Sequence, residues 1–275
     1  LRKNILEAQT AMIAIGFDPE KSVLFLQSQI PAHTELAWIF ETLSSIGDLE
    51  RMTQYKDKAK QVGKKESINA GLLTYPALMA ADILLYNPDY VPVGEDQIQH
   101  LEFARNISEK FNKTYGEVFR APKAMIQKET ARVMSLQDPA KKMSKSLGPQ
   151  NYIGLFEEEN SIRNKIKRAV TDSGKEIKYD LKNKPAISNL LAIYSGVTNK
   201  PIKELEKEFS GKSYSEFKSA LADVLMEHLL PIQERYKNLQ KNPVAVEHAF
   251  ETGAKVAREE SKKTMGIVRE KVGLR

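Results

Sequence analysis

The densest group of chemically useful side chains lies between residues 141 and 148, in the run Lys-Lys-Met-Ser-Lys-Ser-Leu-Gly. Three lysines and two serines fall within six residues of this run, just after the short apolar segment 133–136. Ammonium and hydroxyl groups donate hydrogen bonds to phosphate oxygens, and lysine carries its charge on a flexible stem that can follow a moving anion. A solvated basic loop has the same composition. The pattern therefore predicts either a phosphate-binding loop or a basic surface segment.

A second group of polar residues stands where a short strand meets a helix. Residues 90–93 have a strand pattern and lead through Gly94, Glu95 and Asp96 into a predicted helix that begins at Gln97. Ligands of open parallel sheets bind at such turns. Gly94 would let a nucleotide sugar approach the backbone, Asp96 can accept hydrogen bonds from ribose hydroxyls, and Gln97 can reach the ammonium or carboxylate of an amino acid. A turn glycine and an N-cap aspartate are the alternative interpretation.

Asp82 is the single acid in an otherwise apolar predicted helix over residues 77–86. Burying a carboxylate without a partner is costly, so some group must satisfy it. The partner is either a basic side chain or helix N-terminus of the protein, or a donor on a ligand. The residues alone leave both interpretations open.

Short strands alternate with helices in the first half of the chain. Strand patterns cover residues 22–27 and 90–93, and helix patterns cover residues 31–45, 49–61, 77–86 and 97–111. This alternation predicts an α/β fold with a parallel sheet and crossover connections. Within the helix pattern at residues 31–45, the apolar residues around Trp38 and Phe40 fit either a core or an interface.

Strand patterns end near residue 157, and the rest of the chain reads as helical. The predicted helices cover residues 160–170, 187–194, 201–209, 214–239 and 244–271. Pro201 is expected as the first residue of its helix, and Pro231 predicts a kink or break near Leu230. The loop at 141–151 is the natural junction between the two halves.

Composition excludes several classes of protein. The 275 residues include 42 Lys plus Arg, 36 Asp plus Glu and no cysteine, which excludes disulfides, thiolate nucleophiles and Cys-ligated metal sites. No apolar run reaches the roughly 18 residues that a membrane span needs, so the cytoplasm is the expected location. Residues 1–140 contain 16 basic and 18 acidic residues and residues 141–275 contain 26 and 18, so the second half carries the surplus positive charge that suits a polyanionic partner.

Three blocks of sequence together resemble one known family. KMSKS, at residues 142–146, is the second signature of class I aminoacyl-tRNA synthetases, and residues 74–86 and 91–100 resemble the core of bacterial tryptophanyl-tRNA synthetases. Tyrosyl-tRNA synthetases share that fold but typically have Gly-Gly-x-Asp-Gln where this chain has Gly-Glu-Asp-Gln, at 94–97. The resemblance implies part of a Rossmann-like catalytic domain over residues 1–150, with KMSKS at its end. It also implies an α-helical tRNA anticodon-binding domain over 151–275, whose last helices are free to pack on the catalytic domain.

The resemblance implies a ligase that activates tryptophan with ATP and transfers it to tRNA(Trp), with Mg²⁺ accompanying ATP and with a homodimer as the assembly. The implied tryptophan-binding residues are Asp82, Tyr75, Met79, Val91, Val93 and Gln97. The implied ATP-binding residues are Gly94, Glu95, Asp96, Val133, Lys142, Met143, Ser144, Lys145 and Ser146. Lys142 and Lys145 are the implied catalytic residues, and no residue is assigned to a metal.

Other interpretations stay open at this point. The HIGH-type motif of the family is absent from these residues and is expected upstream of Leu1. A tyrosyl-type synthetase and an N-terminally truncated, non-activating tRNA-binding fragment are therefore alternatives. Four basic residues, at 163, 165, 167 and 168, form either a phosphate-facing stripe or a solvated helix face. None of the histidines is expected to be catalytic, since none has an acidic or second histidine partner at ligand spacing.

Overall fold

The computed structural model describes residues 1–62, 68–126 and 133–274. The chain forms two compact units, each built from two stretches of sequence. We call Asp18–Gln127 with Val244–Arg275 the sheet unit, and Leu1–Phe17 with Lys128–Pro243 the helical unit. The functional division at residue 150 stays a prediction. In the described ranges, no helix has the length and apolar character required to cross a membrane.

The described elements are mainly α-helical. In chain order, the helices are α1 (Arg2–Ala14), α2 (Ala32–Leu43), α3 (Ile46–Glu50), α4 (Thr53–Val62), α5 (Ala70–Leu84), α6 (Ile98–Tyr115), α7 (Glu159–Arg168), α8 (Pro185–Thr198), α9 (Ile202–Glu208), α10 (Tyr214–Gln240) and α11 (Pro243–Lys271). The strands are β1 (Tyr90–Pro92) and β2 (Lys123–Met125). They pair in parallel, with Val91 opposite Ala124, and α6 connects them. The α/β fold-class prediction is confirmed.

The core of the sheet unit lies between α2, α5 and α6. Apolar residues recur on α6 at three- and four-residue spacing, from Leu101 to Phe111, so one face of that helix is buried. Phe111 meets Phe40 of α2 and Phe119 in edge-on contacts, with ring centroids 6.4 and 4.9 Å apart. Trp38, two residues before Phe40, is 67% exposed. Phe40 therefore belongs to the core, whereas Trp38 lies on the surface of the sheet unit.

The predicted strand at residues 22–27 is wrong. Residues 23–26 form an irregular segment that pairs with no strand in the described part of the chain, and a short 3-10 turn follows at Gln27–Gln29. Leu24 is buried against α11, where Gly253 lies so close that a Cβ would be 2.0 Å from the Leu24 carbonyl oxygen. Within the apolar run only Leu24 is buried, since Phe25 and Leu26 are partly buried and Val23 is 51% exposed, and the neighbour of Leu24 is a helix. The helix predicted over residues 49–61 is also different, since α3 and α4 divide it.

Predictions for two prolines of the helical unit can be compared with its helices. Helix α10 continues without a break from Tyr214 to Gln240 although Pro231 lies inside it, so the predicted break does not occur and a kink stays a prediction. One missing N–H donor is tolerated there because α10 is a long helix whose apolar face, from Phe217 to Leu229, is buried. Pro201 is the N-cap of α9 and not its first residue, with a φ of −57° and an extended ψ of 139°.

Candidate active site

One face of α5 presents the polar residues of the candidate site. Tyr75, Met79 and Asp82 follow at spacings of four and three residues, and Tyr86 stands four residues further on, just beyond the helix end. Residues at these spacings share a face. The small residues of α5, such as Ala77 and Ala80 to Ala81, are fully buried in the core. The sequence therefore folds α5 with an alanine-rich side inward and the Tyr75–Asp82 side toward the candidate site.

Asp82 is satisfied by an amide and an imidazole. Gln27 comes from the turn before α2, and His33 lies in the first turn of α2. Gln27 Nε2 lies 2.8 Å from both carboxylate oxygens, and His33 Nδ1 lies 2.6 Å from Oδ1. The Asp82 side chain remains 35% exposed, whereas that of His33 is 3% exposed. Sequence spacing gave no sign of an acidic partner for His33, and folding supplies one by bringing together residues that are 49 positions apart.

The contact continues from His33 to Tyr86. The Tyr86 hydroxyl lies 3.0 Å from His33 Nε2, and both rings pack with that of Phe25 at centroid distances of 5.6 to 6.0 Å. Burial, together with the nearby charge of Asp82, raises the pKa of Tyr86 to about 12. Tyr86 therefore keeps its proton and shares a hydrogen bond with Nε2, while Nδ1–H donates to Asp82, because a carboxylate only accepts. Sequence reasoning missed Gln27, His33 and Tyr86, although the four-residue spacing of Asp82 and Tyr86 was a usable signal.

Tyr75 makes a second contact between a tyrosine and a histidine. Its hydroxyl lies 2.6 Å from His100 Nε2, and the two rings are 5.3 Å apart. Burial lowers the pKa of His100, against an opposing effect of the Asp96 charge, and burial raises the pKa of Tyr75. Both groups are therefore uncharged near neutral pH. His100 Nδ1 is buried and has no hydrogen-bond partner in the described residues.

The turn from Gly94 to Gln97 follows β1, as the strand-and-helix pattern predicts. Gly94 has an ordinary φ of −75° and caps a 3-10 turn, Glu95–Gln97, before α6. A Cβ at Gly94 would lie 2.8 Å from Asp96 Oδ1, so a larger residue there would require the Asp96 carboxylate to turn, while the backbone conformation does not require glycine. Gln97 Nε2 donates to Asp96 Oδ2 at 3.0 Å, and Gln54 Nε2 of α4 donates to the Asp96 carbonyl at 3.0 Å.

The apolar residues assigned to the tryptophan site lie near this turn and on α5. Met79, Val91 and Val93 are each partly buried against the core of the sheet unit. Val93 N donates to the Met125 carbonyl at 3.2 Å, which extends the pairing of β1 with β2 by one residue. All six residues assigned to tryptophan, with Gly94, Glu95 and Asp96, thus fall in the sheet unit.

The lysine-rich loop belongs to the helical unit, as does Val133. Lys142 forms an antiparallel bridge with Met134, and Met143 N donates to the Val133 carbonyl at 3.0 Å. Ser144 caps the 3-10 turn Lys145–Leu147, because its hydroxyl oxygen accepts from Ser146 N at 3.3 Å, and the two serine hydroxyls also lie 2.8 Å apart. The loop is therefore the second arm of a hairpin-like pair whose first arm is the apolar segment at 133–136.

The three lysines of this loop are not equivalent. Lys141 is paired with Asp138 at 3.0 Å. Lys142 and Lys145 are exposed and have no ion-pair partner within the described ranges. Two ammonium groups thus remain available to an anion, and they are the two that the resemblance assigns to catalysis.

Two asparagines hold the base of the loop. Asn189 of α8 accepts from Met134 N at 2.8 Å and donates to the Met134 carbonyl at 2.9 Å, as a neighbouring strand would. Asn151 contacts the Ser135 hydroxyl at 2.7 Å and donates to the Leu147 carbonyl at 2.6 Å. The backbone at both ends of the loop is fixed, while the lysine side chains stay in solvent.

The predicted basic stripe on α7 is wrong as a set. Lys165 is 4% exposed and pairs with Glu157 at 2.5 Å. Arg163 pairs with Glu159 at 2.8 Å and with Asp223 at 2.6 Å. The helix turns these two residues toward its neighbours, and the residues at 167 and 168 remain exposed.

Parallel strands joined by a helix, a polar turn after the first strand and a lysine loop with the KMSKS sequence together define a class I aminoacyl-tRNA synthetase. The family model for class I tRNA synthetases of the W and Y type matches residues 1–230. A tryptophan–tRNA ligase from Halalkalibacterium halodurans is 50% identical over 275 residues, which are 100% of this chain and 82% of that protein. The chain belongs to the tryptophan–tRNA ligase family.

Solved structures agree with this assignment. Tryptophanyl-tRNA synthetase from Mycoplasma pneumoniae is 36% identical, with a TM-score of 0.88 over 99% of this chain and 82% of that one. The Campylobacter jejuni enzyme, in complex with ADP and tryptophan, is 37% identical, with a TM-score of 0.82 over 99% of this chain and 83% of that one. The resemblance inferred from the sequence blocks is confirmed.

Proposed function

We propose that this chain binds tryptophan and ATP in the manner of a tryptophan–tRNA ligase, with Asp82 as the acceptor for the indole N–H. The observation that carries the proposal is the setting of Asp82, a partly exposed carboxylate on an apolar helix beside Met79. A site built around one buried hydrogen bond discriminates strongly against a substrate that lacks the donor. Tyr75 and Gln97 would hold the amino-acid end, and Val91 and Val93 would limit the size of the ring.

ATP would bind at the turn after β1 and at the lysine loop. Gly94 to Asp96 would hold the ribose, and Val133 would contact the adenine edge. The loop from Lys142 to Ser146 would hold the phosphates, with Lys142 and Lys145 stabilising the charge that grows on the triphosphate as the tryptophan carboxylate attacks the α-phosphorus and pyrophosphate leaves.

Mg²⁺ would accompany ATP, bound chiefly by phosphate oxygens and water. Within the described ranges, no group of three or more His, Asp or Glu side chains is placed to hold a metal ion. Lys142 and Lys145 would act on the phosphates of ATP through their own charge.

The remaining parts of the proposal concern partners. Residues 151–275 would contact the tRNA(Trp) anticodon region, the active assembly would be a homodimer, and the compartment would be the cytoplasm. The surplus of 26 basic over 18 acidic residues in residues 141–275 supports a polyanionic partner.

Calorimetric binding of tryptophan, tyrosine and phenylalanine tests the assignment of Asp82. We expect Asp82→Asn to weaken tryptophan binding by roughly tenfold or more, because the bond to a charged acceptor is lost. Asp89→Asn is the matched control, since Asp89 is 71% exposed and paired with Arg120 in the same unit. Preference of the unchanged protein for tyrosine, or equal affinity of the Asp82 variant and the control for tryptophan, would contradict the proposal.

A further inference from the structure

The contacts of Asp82 divide into one fixed donor and one exchangeable donor. His33 is buried in the first turn of α2, whereas Gln27 is exposed in the 3-10 turn before it. We propose that His33, held by Tyr86, is the positioning residue that orients the Asp82 carboxylate for an indole N–H. This inference rests on the role proposed above for Asp82 and adds the residues that make that role possible.

The two carboxylate oxygens of Asp82 differ in their number of hydrogen-bond donors. Oδ1 has His33 Nδ1 at 2.6 Å and Gln27 Nε2 at 2.8 Å, whereas Oδ2 has Gln27 Nε2 alone among the described residues, at 2.8 Å. A carboxylate oxygen accepts about two hydrogen bonds. Oδ2 therefore depends on the exposed Gln27 alone, and it is the atom that would accept the indole N–H when Gln27 leaves.

The orientation of Gln27 follows from charge. Its Nε2 faces both carboxylate oxygens, because the reversed amide would set its own carbonyl oxygen against a negative charge. The amide N–H of Gln27 thus occupies the position from which an indole N–H would donate to Asp82. Since Gln27 is exposed, it can turn away at small cost and exchange places with the ligand.

His33 cannot exchange in the same way. Its ring is 3% exposed and lies between those of Phe25 and Tyr86, at centroid distances of 6.0 and 5.6 Å. The Tyr86 hydroxyl lies 3.0 Å from Nε2, so the second nitrogen of the ring is held as well while Nδ1 donates to the carboxylate. The imidazole is locked by packing at its faces and by a hydrogen bond at each nitrogen.

The fixed position of the His33 ring matters because the Asp82 side chain, which it contacts, is partly exposed. A free aspartate at 35% exposure would turn toward water, and a ligand would have to reorient it on binding. With Oδ1 tied to a buried ring, the carboxylate plane is set before tryptophan arrives, so the cost of orientation is met in folding.

A ligand that lacks only the N–H isolates this effect. In 3-benzothienylalanine, sulfur replaces the indole N–H while the size of the ring system is kept. The ratio of its dissociation constant to that of tryptophan, measured by calorimetry, reports the hydrogen bond to Asp82 and cancels most general packing effects. We expect this ratio to be about tenfold or more in the unchanged protein.

Variants of the two supporting residues test the inference. We expect His33→Leu to reduce the ratio to near one and Tyr86→Phe to reduce it several-fold. His33→Asn should retain most of it, because the asparagine amide can donate from nearly the position of Nδ1. His248→Leu is the control, as His248 is an exposed histidine of the same unit, and it should leave the ratio unchanged.

A double-mutant cycle separates positioning from general structure. If His33 acts through the carboxylate, His33→Leu should have no further effect on the ratio in an Asp82→Asn background. A ratio near one in the unchanged protein would refute the role of Asp82 itself. A ratio that Asp82→Asn abolishes, but that both His33→Leu and Tyr86→Phe leave intact, would overturn the inference alone. Should the His33 variants fail to fold, Tyr86→Phe decides the question.

Discussion

At the scale of single residues, Asp82 is notable because neither of its hydrogen-bond partners is a lysine or an arginine. Gln27 and His33 satisfy the carboxylate with an amide and an imidazole. A paired ammonium would have offset the negative charge and weakened its attraction for a weak donor such as an indole N–H. An amide and an imidazole fix the geometry of the carboxylate without placing a lysine or arginine charge beside the ligand.

The sequence was sufficient to single out Asp82 and the lysine loop, because an acid in an apolar helix and three lysines in six residues are local patterns. It was not sufficient to find Gln27 or His33. These residues lie 55 and 49 positions from Asp82, and only the packing of α2 against α5 brings them to it. Polar contacts across such separations leave no periodic signal in the chain.

Lys145 is the loop residue whose substitution should separate most clearly an effect on the rate of tryptophan activation from an effect on tryptophan binding. We expect Lys145→Ala to lower the rate of tryptophan activation by roughly 10²-fold, because one charge that stabilises the transition state is lost, while tryptophan affinity changes little. Tryptophan-dependent ATP–pyrophosphate exchange and calorimetry measure the two quantities.

The neighbouring lysine provides the comparison for that experiment. Lys141 is already paired with Asp138, so Lys141→Ala should leave the activation rate within a few-fold of that of the unchanged protein. Loss of rate and of tryptophan affinity in equal proportion for Lys145→Ala would count against a role confined to the triphosphate.

At the scale of elements, α11 shows how a helix distant in sequence completes the sheet unit. Gly253 lies against the Leu24 carbonyl, and Arg258 donates to the Gln29 carbonyl at 3.3 Å while pairing with Glu251 at 3.1 Å. The helix pattern of residues 244–271 predicted α11 well, whereas its neighbour could not be predicted. Periodicity identifies the buried face of a helix but not the segment that covers it.

Gly253→Ala should destabilise the protein by about 1 to 3 kcal/mol, because the added Cβ would lie 2.0 Å from backbone that must move. Gly266→Ala is the control in the same helix, where nothing lies within 4 Å of the added carbon. That change should stabilise by roughly 0.5 to 1 kcal/mol, since alanine favours helix over glycine. Urea unfolding of both variants measures the difference, and equal midpoints would contradict the close approach of α11 to Leu24.

At the scale of the whole molecule, charged residues are unevenly distributed along the chain. Counting them in the sequence predicts this distribution, but folding decides which of them remain exposed. The net charge of +6 is a surface property only where the side chains remain exposed. Burial of Lys165 and pairing of Arg163 remove two of the four α7 cations from consideration as phosphate contacts. The number of charged residues therefore indicates a binding surface only after the buried and paired side chains have been excluded.

The two exposed cations of α7 give a prediction about tRNA. We expect Lys167→Ala combined with Arg168→Ala to reduce the slope of log affinity for tRNA(Trp) against log salt by roughly 1.4 to 1.8, since each phosphate contact contributes about 0.7 to 0.9. Filter binding at several salt concentrations measures the slope. Lys262→Ala with Lys263→Ala is the charge-matched control, because both lysines are paired with glutamates on α11. Equal slopes for the two double variants would rule out this surface.

The exposure of Trp38 has an optical consequence. It is the one tryptophan of the 275 residues, and at 67% exposure its emission should resemble that of indole in water. A tryptophan ligand in free solution would emit in the same band and mask any titration. Trp38→Phe, a surface change, should give a protein without indole fluorescence, in which a bound tryptophan beside Met79 is the sole shifted emitter. A blue shift that saturates with added protein would then report occupancy directly, without a label, and its absence would place the ligand in water.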